Sequence, residues 1–155
     1  VRVRTRRLAS FTLVEIMIVV AIIGTLAGIA IPSIQHVLFR AQIARAIGDI
    51  RAIQIDIMAF ELEHDKLPVD LAEIGRTTTV DPWGRPYQYL NFEAVGKGWK
   101  GMARKDHSLV PLNSTFDLYS LGRDGESSAP LTAKASRDDI VRANDGGYVG
   151  LGADF

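Results

Sequence analysis

Residues 10–34 read SFTLVEIMIVVAIIGTLAGIAIPSI, and one acidic residue in them decides how the rest is understood. Glu15 stands near the front of an apolar run that meets no further charge until Arg40. A carboxylate inside a bilayer costs about 2.5–3.5 kcal/mol on insertion scales, so Glu15 calls for a partner. After it, Thr25, Ser33, Gln35 and His36 alone interrupt the apolar character. At ~1.5 Å per residue, a helix from Phe11 to Phe39 would reach ~43 Å, enough to span ~30 Å of hydrocarbon. Arg2, Arg4, Arg6 and Arg7 precede it with no acid among the first ten residues. That asymmetry predicts a cytoplasmic amino terminus, with everything after Arg40 on the far side of the membrane.

A cleaved secretory signal would have a shorter apolar region ending in small residues. GTLAGIAIP offers weak cleavage candidates of that kind, but the apolar run continues past Pro32. A plain signal anchor fits the length and charge and leaves Glu15 unexplained. The segment SFTLVEIMIVVAIIGTLAGIAIP supplies a third reading, because it resembles the start of type IV pilins and of the pseudopilins of type II secretion. That resemblance implies a basic leader, residues 1–10, removed between Ser10 and Phe11 by a prepilin peptidase that then N-methylates Phe11. Ser10 stands where the family has Gly, keeping the small size. It also implies a role for Glu15 in assembly. Phe11 and Glu15 are spaced i and i+4, one face of a helix. The carboxylate would then neutralise the new terminal amine, on its own helix or on that of a neighbouring subunit. Gly24, Gly28 and Pro32 recur every four residues. The glycine pair is either a close-packing helix face or ordinary membrane-helix composition. Pro32 removes a backbone bond and is expected to bend or loosen the helix.

From Ile43, apolar residues fall at Ile43, Ile47, Ile50, Ile53, Ile57 and Phe60, a helical stripe with charges elsewhere. The stripe predicts that an amphipathic half, residues 40–66, continues the membrane half, residues 11–39, and lies on a globular domain. Pro68 disfavours helix at Leu67, so the end is expected near Glu63–Lys66. Residues 67–155 then read as a β domain. LPVDLAEIG is a short helix or turn that packs Leu71 and Ile74. TTTVDPWGRPYQYL turns at Asp81–Gly84 and enters a strand with Tyr87 and Tyr89 on one face. STFDLYSLGRDG gives another, with Phe116, Leu118 and Ser120 on one face and Asp117, Tyr119 and Leu121 on the other. Residues 91–113, glycine-rich and basic, are expected as a hairpin or exposed loop. The fold class is therefore α+β, a long helix packed on a small antiparallel sheet of three or four strands, the lollipop of pilins.

DPWGRPYQY, then FDLYSLGRDG, then DDI resemble the major pseudopilin of type II secretion more than adhesive pilins, which often close this region with a disulfide. This chain has no cysteine. The resemblance implies a calcium ion in the C-terminal loop, held by the carbonyl of Leu121 and by Asp124, Asp138 and Asp139, with Asp145 and Asp154 as substitutes. Hard cations do take several carboxylate and carbonyl oxygens. ESSAPLTAKASR is longer and poorer in glycine than the family loop, and VRANDGGYVGLGADF continues where the family nearly ends.

No catalytic constellation is present. His36, His64 and His107 lack metal-ligand spacing, and there is no nucleophile elbow or phosphate loop. Without the four leader arginines, 14 Lys+Arg face 18 Asp+Glu, a net 14 − 18 = −4, which gives a nucleic-acid partner no support. The expected function is a non-enzymatic one. The chain would be the structural subunit of a periplasmic pseudopilus, anchored in a bacterial inner membrane by a single pass. It would polymerise through its N-terminal helix and meet prepilin peptidase, an inner-membrane assembly platform and minor pseudopilins. The alternatives are a type IV pilus subunit for adhesion, motility or DNA uptake, and an anchored binding module that never polymerises.

Overall fold

The computed structural model describes residues 11–155. The basic leader and Ser10 lie outside the described residues. The chain divides into two compact units at Phe39 and Arg40, and one helix, α1 (Leu13–His64), contributes to both.

In the first unit the helix is apolar on every side, and its membrane-length window has no buried residue within the chain. The helix runs through Pro32 without interruption. Proline lacks the N–H that the carbonyl of residue 28 would accept, so one rung of the ladder is missing there.

In the second unit the helix buries one stripe. Ala46, Ile50, Ile53 and Ile57 are fully enclosed, with Ile43 and Ile47 partly covered. Ala46 fills the gap that the isoleucine spacing leaves. Phe60 departs from the expected stripe: it stacks on His64 at 4.1 Å instead of joining the core. Burying a Val, Leu or Ile side chain contributes about 1.5–3 kcal/mol, so the enclosed isoleucines dominate this layer.

The sheet has four antiparallel strands in sequential order: β1 (Gln88–Asn91), β2 (Phe116–Ser120), β3 (Ile140–Ala143) and β4 (Tyr148–Leu151). Leu118 pairs with Tyr89, Ser120 with Ile140, and Arg142 with Val149. The period-two reading of β2 holds. Phe116 and Leu118 face the helix with Tyr87, Tyr89, Ile140 and Val149, while Tyr119 faces a second cluster with Leu112, Leu131, Val141 and Ala143. Leu71 and Ile74 pack on the helix-side cluster from a turn, as expected.

Two segments differ from expectation. Residues 91–113 are not simply an exposed loop. They form two single-turn helices, α2 (Phe92–Val95) and α3 (Trp99–Met102), and bury Phe92, Ala103, Arg104, Leu112 and Asn113. The stretch expected beyond the family's end supplies β3 and β4. Asn144, Asp145 and Gly146 turn between them with positive φ, backbone that Asn, Asp and Gly tolerate best.

A polar tie joins the helix to the residue just before β1 within this unit. The Tyr87 hydroxyl donates to Asp49 Oδ2 at 2.9 Å. Burial first, and then the Asp49 carboxylate, push the phenol well above the ordinary tyrosine range. The folded chain thus keeps this proton to higher pH than the unfolded chain does. Its contribution is complete below a pH of about 10 and is lost as pH rises through the tyrosine range and above it. Tyr89, also raised mainly by burial, acts with the same sign. Tyr87→Phe is expected to lower stability by about 1–2 kcal/mol at neutral pH and to shallow the alkaline decline. Thermal unfolding of the full chain in detergent, followed by near-UV circular dichroism from about pH 8 to 11, measures both.

Candidate functional site

The amino-terminal end of α1 is built by two residues, Thr12 and Glu15. The Thr12 amide donates to Glu15 Oε2 at 2.8 Å, and the Thr12 hydroxyl donates to the same oxygen at 2.8 Å. In return the Glu15 amide donates to Thr12 Oγ1 at 3.2 Å. This reciprocal pairing is a capping box, which satisfies helix-end donors that have no partner within the helix. Its sequence signature, T-x-x-E before an apolar run, is legible at Thr12–Glu15 and is a signal separate from the apolar period. The cap also corrects the expected geometry of Phe11 and Glu15. The helix begins at Leu13, so Phe11 lies outside it, 79 % exposed, and the two do not share a helix face in this chain.

Gly24 and Gly28 sit in the middle of the apolar segment, and a methyl group added at either would meet nothing within 4 Å. Whatever packs there is not among the described residues of this chain. Thr25 satisfies its own hydroxyl by donating to the Ile22 carbonyl at 2.8 Å.

Of the residues expected around calcium, Leu121, Asp124 and Asp138 lie together at the turn after β2, while Asp139 faces Arg104, so the four do not share one site. The Leu121 carbonyl accepts the Gly125 amide at 3.1 Å. Asp124 Oδ1 accepts the Glu126 amide at 2.8 Å. Asp138 Oδ2 accepts the amides of Arg123 and Asp124 at 2.7 and 2.9 Å, closing the turn as an anion held by backbone donors. Asp139, fully buried, turns the other way, onto Arg104. Asp138 stands in a bend and Asp139 just before β3, and their carboxylates take different partners. Asp145 and Asp154 do not repair the set. Asp145 Oδ1 accepts the Ser114 amide at 2.8 Å, away from the loop. Among the described residues no group of three or more His, Asp or Glu is arranged to hold a metal ion. As folded, this donor set does not fit a divalent cation.

What the loop contains instead is a network that sequence reasoning missed. Arg104 Nη2 donates to Asp139 Oδ2 at 2.6 Å, and Nη1 donates to the Ser128 carbonyl at 2.8 Å and to the Ser127 hydroxyl. The same guanidinium lies 4.4 Å above the Tyr119 ring. Ser127 Oγ donates to Asp139 Oδ2 at 2.6 Å. Arg85 Nη1 donates to the Gly122 carbonyl at 2.7 Å, and Nη2 to that of Arg123 at 3.3 Å. The Arg85 amide in turn donates to Asp81 Oδ1, whose other oxygen accepts the Ser120 hydroxyl at 2.6 Å. Burial pushes the carboxyls of Asp117 and Asp139 above the ordinary carboxylate range. Asp117 is compensated by the Arg104 amide and Asn113, and Asp139 by Ser127 and Arg104.

Residues 5–31 match the family described as the prokaryotic N-terminal methylation motif. The chain is 33 % identical to the type II secretion system core protein G of Pseudomonas aeruginosa over 142 residues, covering 78 % of this chain and 87 % of that one. It is 27 % identical to the core protein G of Aeromonas hydrophila, over 79 % of this chain and 87 % of that one. It is also 35 % identical to a fimbrial protein of Neisseria meningitidis, over 86 % of this chain and 82 % of that one. No solved structure matches the chain.

Thr12→Ala removes both hydroxyl bonds of the capping box. The expected loss is about 1 kcal/mol of local helix stability, seen as roughly five- to tenfold faster amide exchange at Glu15 and Ile16 in detergent micelles, with residues beyond the first two turns unchanged.

Proposed function

This chain belongs to the pilin-like family of the type II secretion system core proteins G, and we propose that it is the main structural subunit of a periplasmic pseudopilus. Members of that family are structural proteins. The observation that carries the reading is the first half of α1, apolar on every side, with no buried residue in its membrane-length window among the described residues, and carrying one carboxylate. Such a helix needs lipid or other helices around it. The carboxylate needs a positive partner once water is excluded.

Prepilin peptidase supplies that partner. Cleavage between Ser10 and Phe11 turns Phe11 into a methylated, positively charged terminus at the edge of the apolar segment. Glu15 of one subunit pairs with Phe11 of the next, which sets the axial offset between helices. Gly24 and Gly28 then allow close helix approach, and Pro32 marks where the ladder already lacks a bond and extends most easily. The globular unit, Arg40–Phe155, lies in the periplasm, and the inner-membrane assembly platform and minor pseudopilins are the assembly partners. The fimbrial relative supports a second reading, a surface pilus subunit. The lack of any cysteine to close the C-terminal region favours the first.

Intact-mass measurement of the membrane-extracted protein, with and without prepilin peptidase, tests processing. Loss of residues 1–10 plus one methyl group is expected only with the peptidase, and a full-length mass in both strains removes the amine on which the assembly reading depends. Glu15→Gln separates the two roles of the carboxylate. Glutamine also completes a capping box, so the variant is expected to insert and fold like the parent. Lacking the charge, it is expected to give at least about tenfold fewer filaments by electron microscopy and a matching loss of secretion, the effect of more than about 1.4 kcal/mol per subunit contact. Surface filaments with secretion intact would select the pilus reading instead.

A further inference from the structure

The loop from Leu121 to Asp139 joins β2 to β3, is long and largely irregular, and has no disulfide to close it. Such a loop needs some fixed charge to gather its carbonyls and carboxylates, because unpaired buried acceptors are strongly unfavourable. Two arginines from outside the loop reach it. Arg85, just before β1, donates to the carbonyls of Gly122 and Arg123. Its guanidinium lies so close to Gly125 that a methyl group there would come within 2.5 Å of the Arg85 Cζ. Arg104, just after α3, binds Asp139, Ser127 and Ser128 at the loop's far side. It is 2 % exposed.

We infer that the guanidiniums of Arg85 and Arg104 do in this chain what a bound divalent cation would do, so that the loop closes and the domain folds without calcium. Several of the oxygens a cation would draw on are already engaged by donors of the chain itself. Gly122 and Arg123 carbonyls face Arg85, the Leu121 carbonyl faces the Gly125 amide, and Asp138 Oδ2 holds two amides. Among the described residues the one buried carboxylate oxygen without a partner, Asp139 Oδ1, belongs to a residue already paired to Arg104. A cation approaching it would meet that guanidinium as a like charge in a dry site, where repulsion is least screened. Arginine suits the task because its planar fork serves several oxygens at once and keeps its charge when buried. The chemistry is a permanent internal cation, unresponsive to chelators and to calcium concentration.

The test uses the full chain in detergent. Thermal midpoints in about 5 mM EDTA and about 5 mM calcium chloride are expected to agree within about 3 °C, since a ligand that does not bind the folded state adds no stability. Equilibrium dialysis with radioactive calcium is expected to show no bound ion at that concentration. Arg85→Met and Arg104→Met are each expected to lower the midpoint by more than about 8 °C. Should Arg104→Met leave Asp139 stranded and fail to fold, Arg85→Met and the chelation comparison still decide. Adding Asp139→Leu to Arg104→Met is expected to recover part of the loss, because both members of the buried pair are then gone. A calcium-dependent rise above about 3 °C, one equivalent of bound calcium, or an Arg85→Met variant as stable as its parent would each overturn the inference.

Discussion

The second unit depends on a stripe of isoleucine that has no water left on it. Ile50, Ile53 and Ile57 meet Tyr87, Phe116, Leu118, Ile140 and Val149, so one helix face and one sheet face complete each other. Dispersion and apolar burial supply the energy, and neither is directional. Direction comes from polar ties at the edges of the stripe. Tyr87 reaches Asp49, Arg142 Nε reaches Gln54 at 3.3 Å, and Arg76 pairs with Asp56 at 2.6 Å. These fix which way the helix is turned about its axis, which an apolar stripe alone leaves loose.

The other face of the sheet is closed differently. A small antiparallel sheet can leave that face to water. Here β2 and β3 instead carry Asp117, Tyr119, Val141 and Ala143 into a second layer, and that layer is chain without long helices or strands. Leu112 and Leu131 supply its apolar part. Its polar part is a connected set: Asn113 donates to Asp117 Oδ1 and to the Arg142 carbonyl, the Arg104 amide donates to Asp117, and the Arg104 side chain donates to Asp139. Networks of this kind specify one arrangement strongly, because any member left unpaired in a dry site is costly. The segment 103–114 therefore behaves as structure even though its composition is that of a loop.

The first unit poses the opposite problem. It has apolar surface that no other described residue buries, and a carboxylate bonded, among the described residues, to its own cap. The proposed side-by-side packing of identical helices with an axial offset would meet both demands at once. The capping box is compatible with that event. It engages Oε2, and among the described residues Oε1 accepts nothing, so an incoming amine has an oxygen to approach.

The long helix, its change from all-round apolar to striped, its end near residue 64 and the two faces of β2 follow from the sequence alone, because each is a matter of local period. The hairpin of β3 and β4 carried its own signal, Asn144-Asp145-Gly146-Gly147 between IVRA and YVGL, and so did the capping box at Thr12–Glu15. Tertiary structure alone decided the partners of the charges. Asp138 and Asp139 look equivalent in sequence, yet one closes a turn at the surface and the other is sealed beneath Arg104, 35 residues away. Periodicity says that neighbouring side chains point to opposite sides. It does not say which distant segment returns to meet them, and for a buried charge that segment decides whether the cation it finds is an ion from solution or an arginine of its own chain.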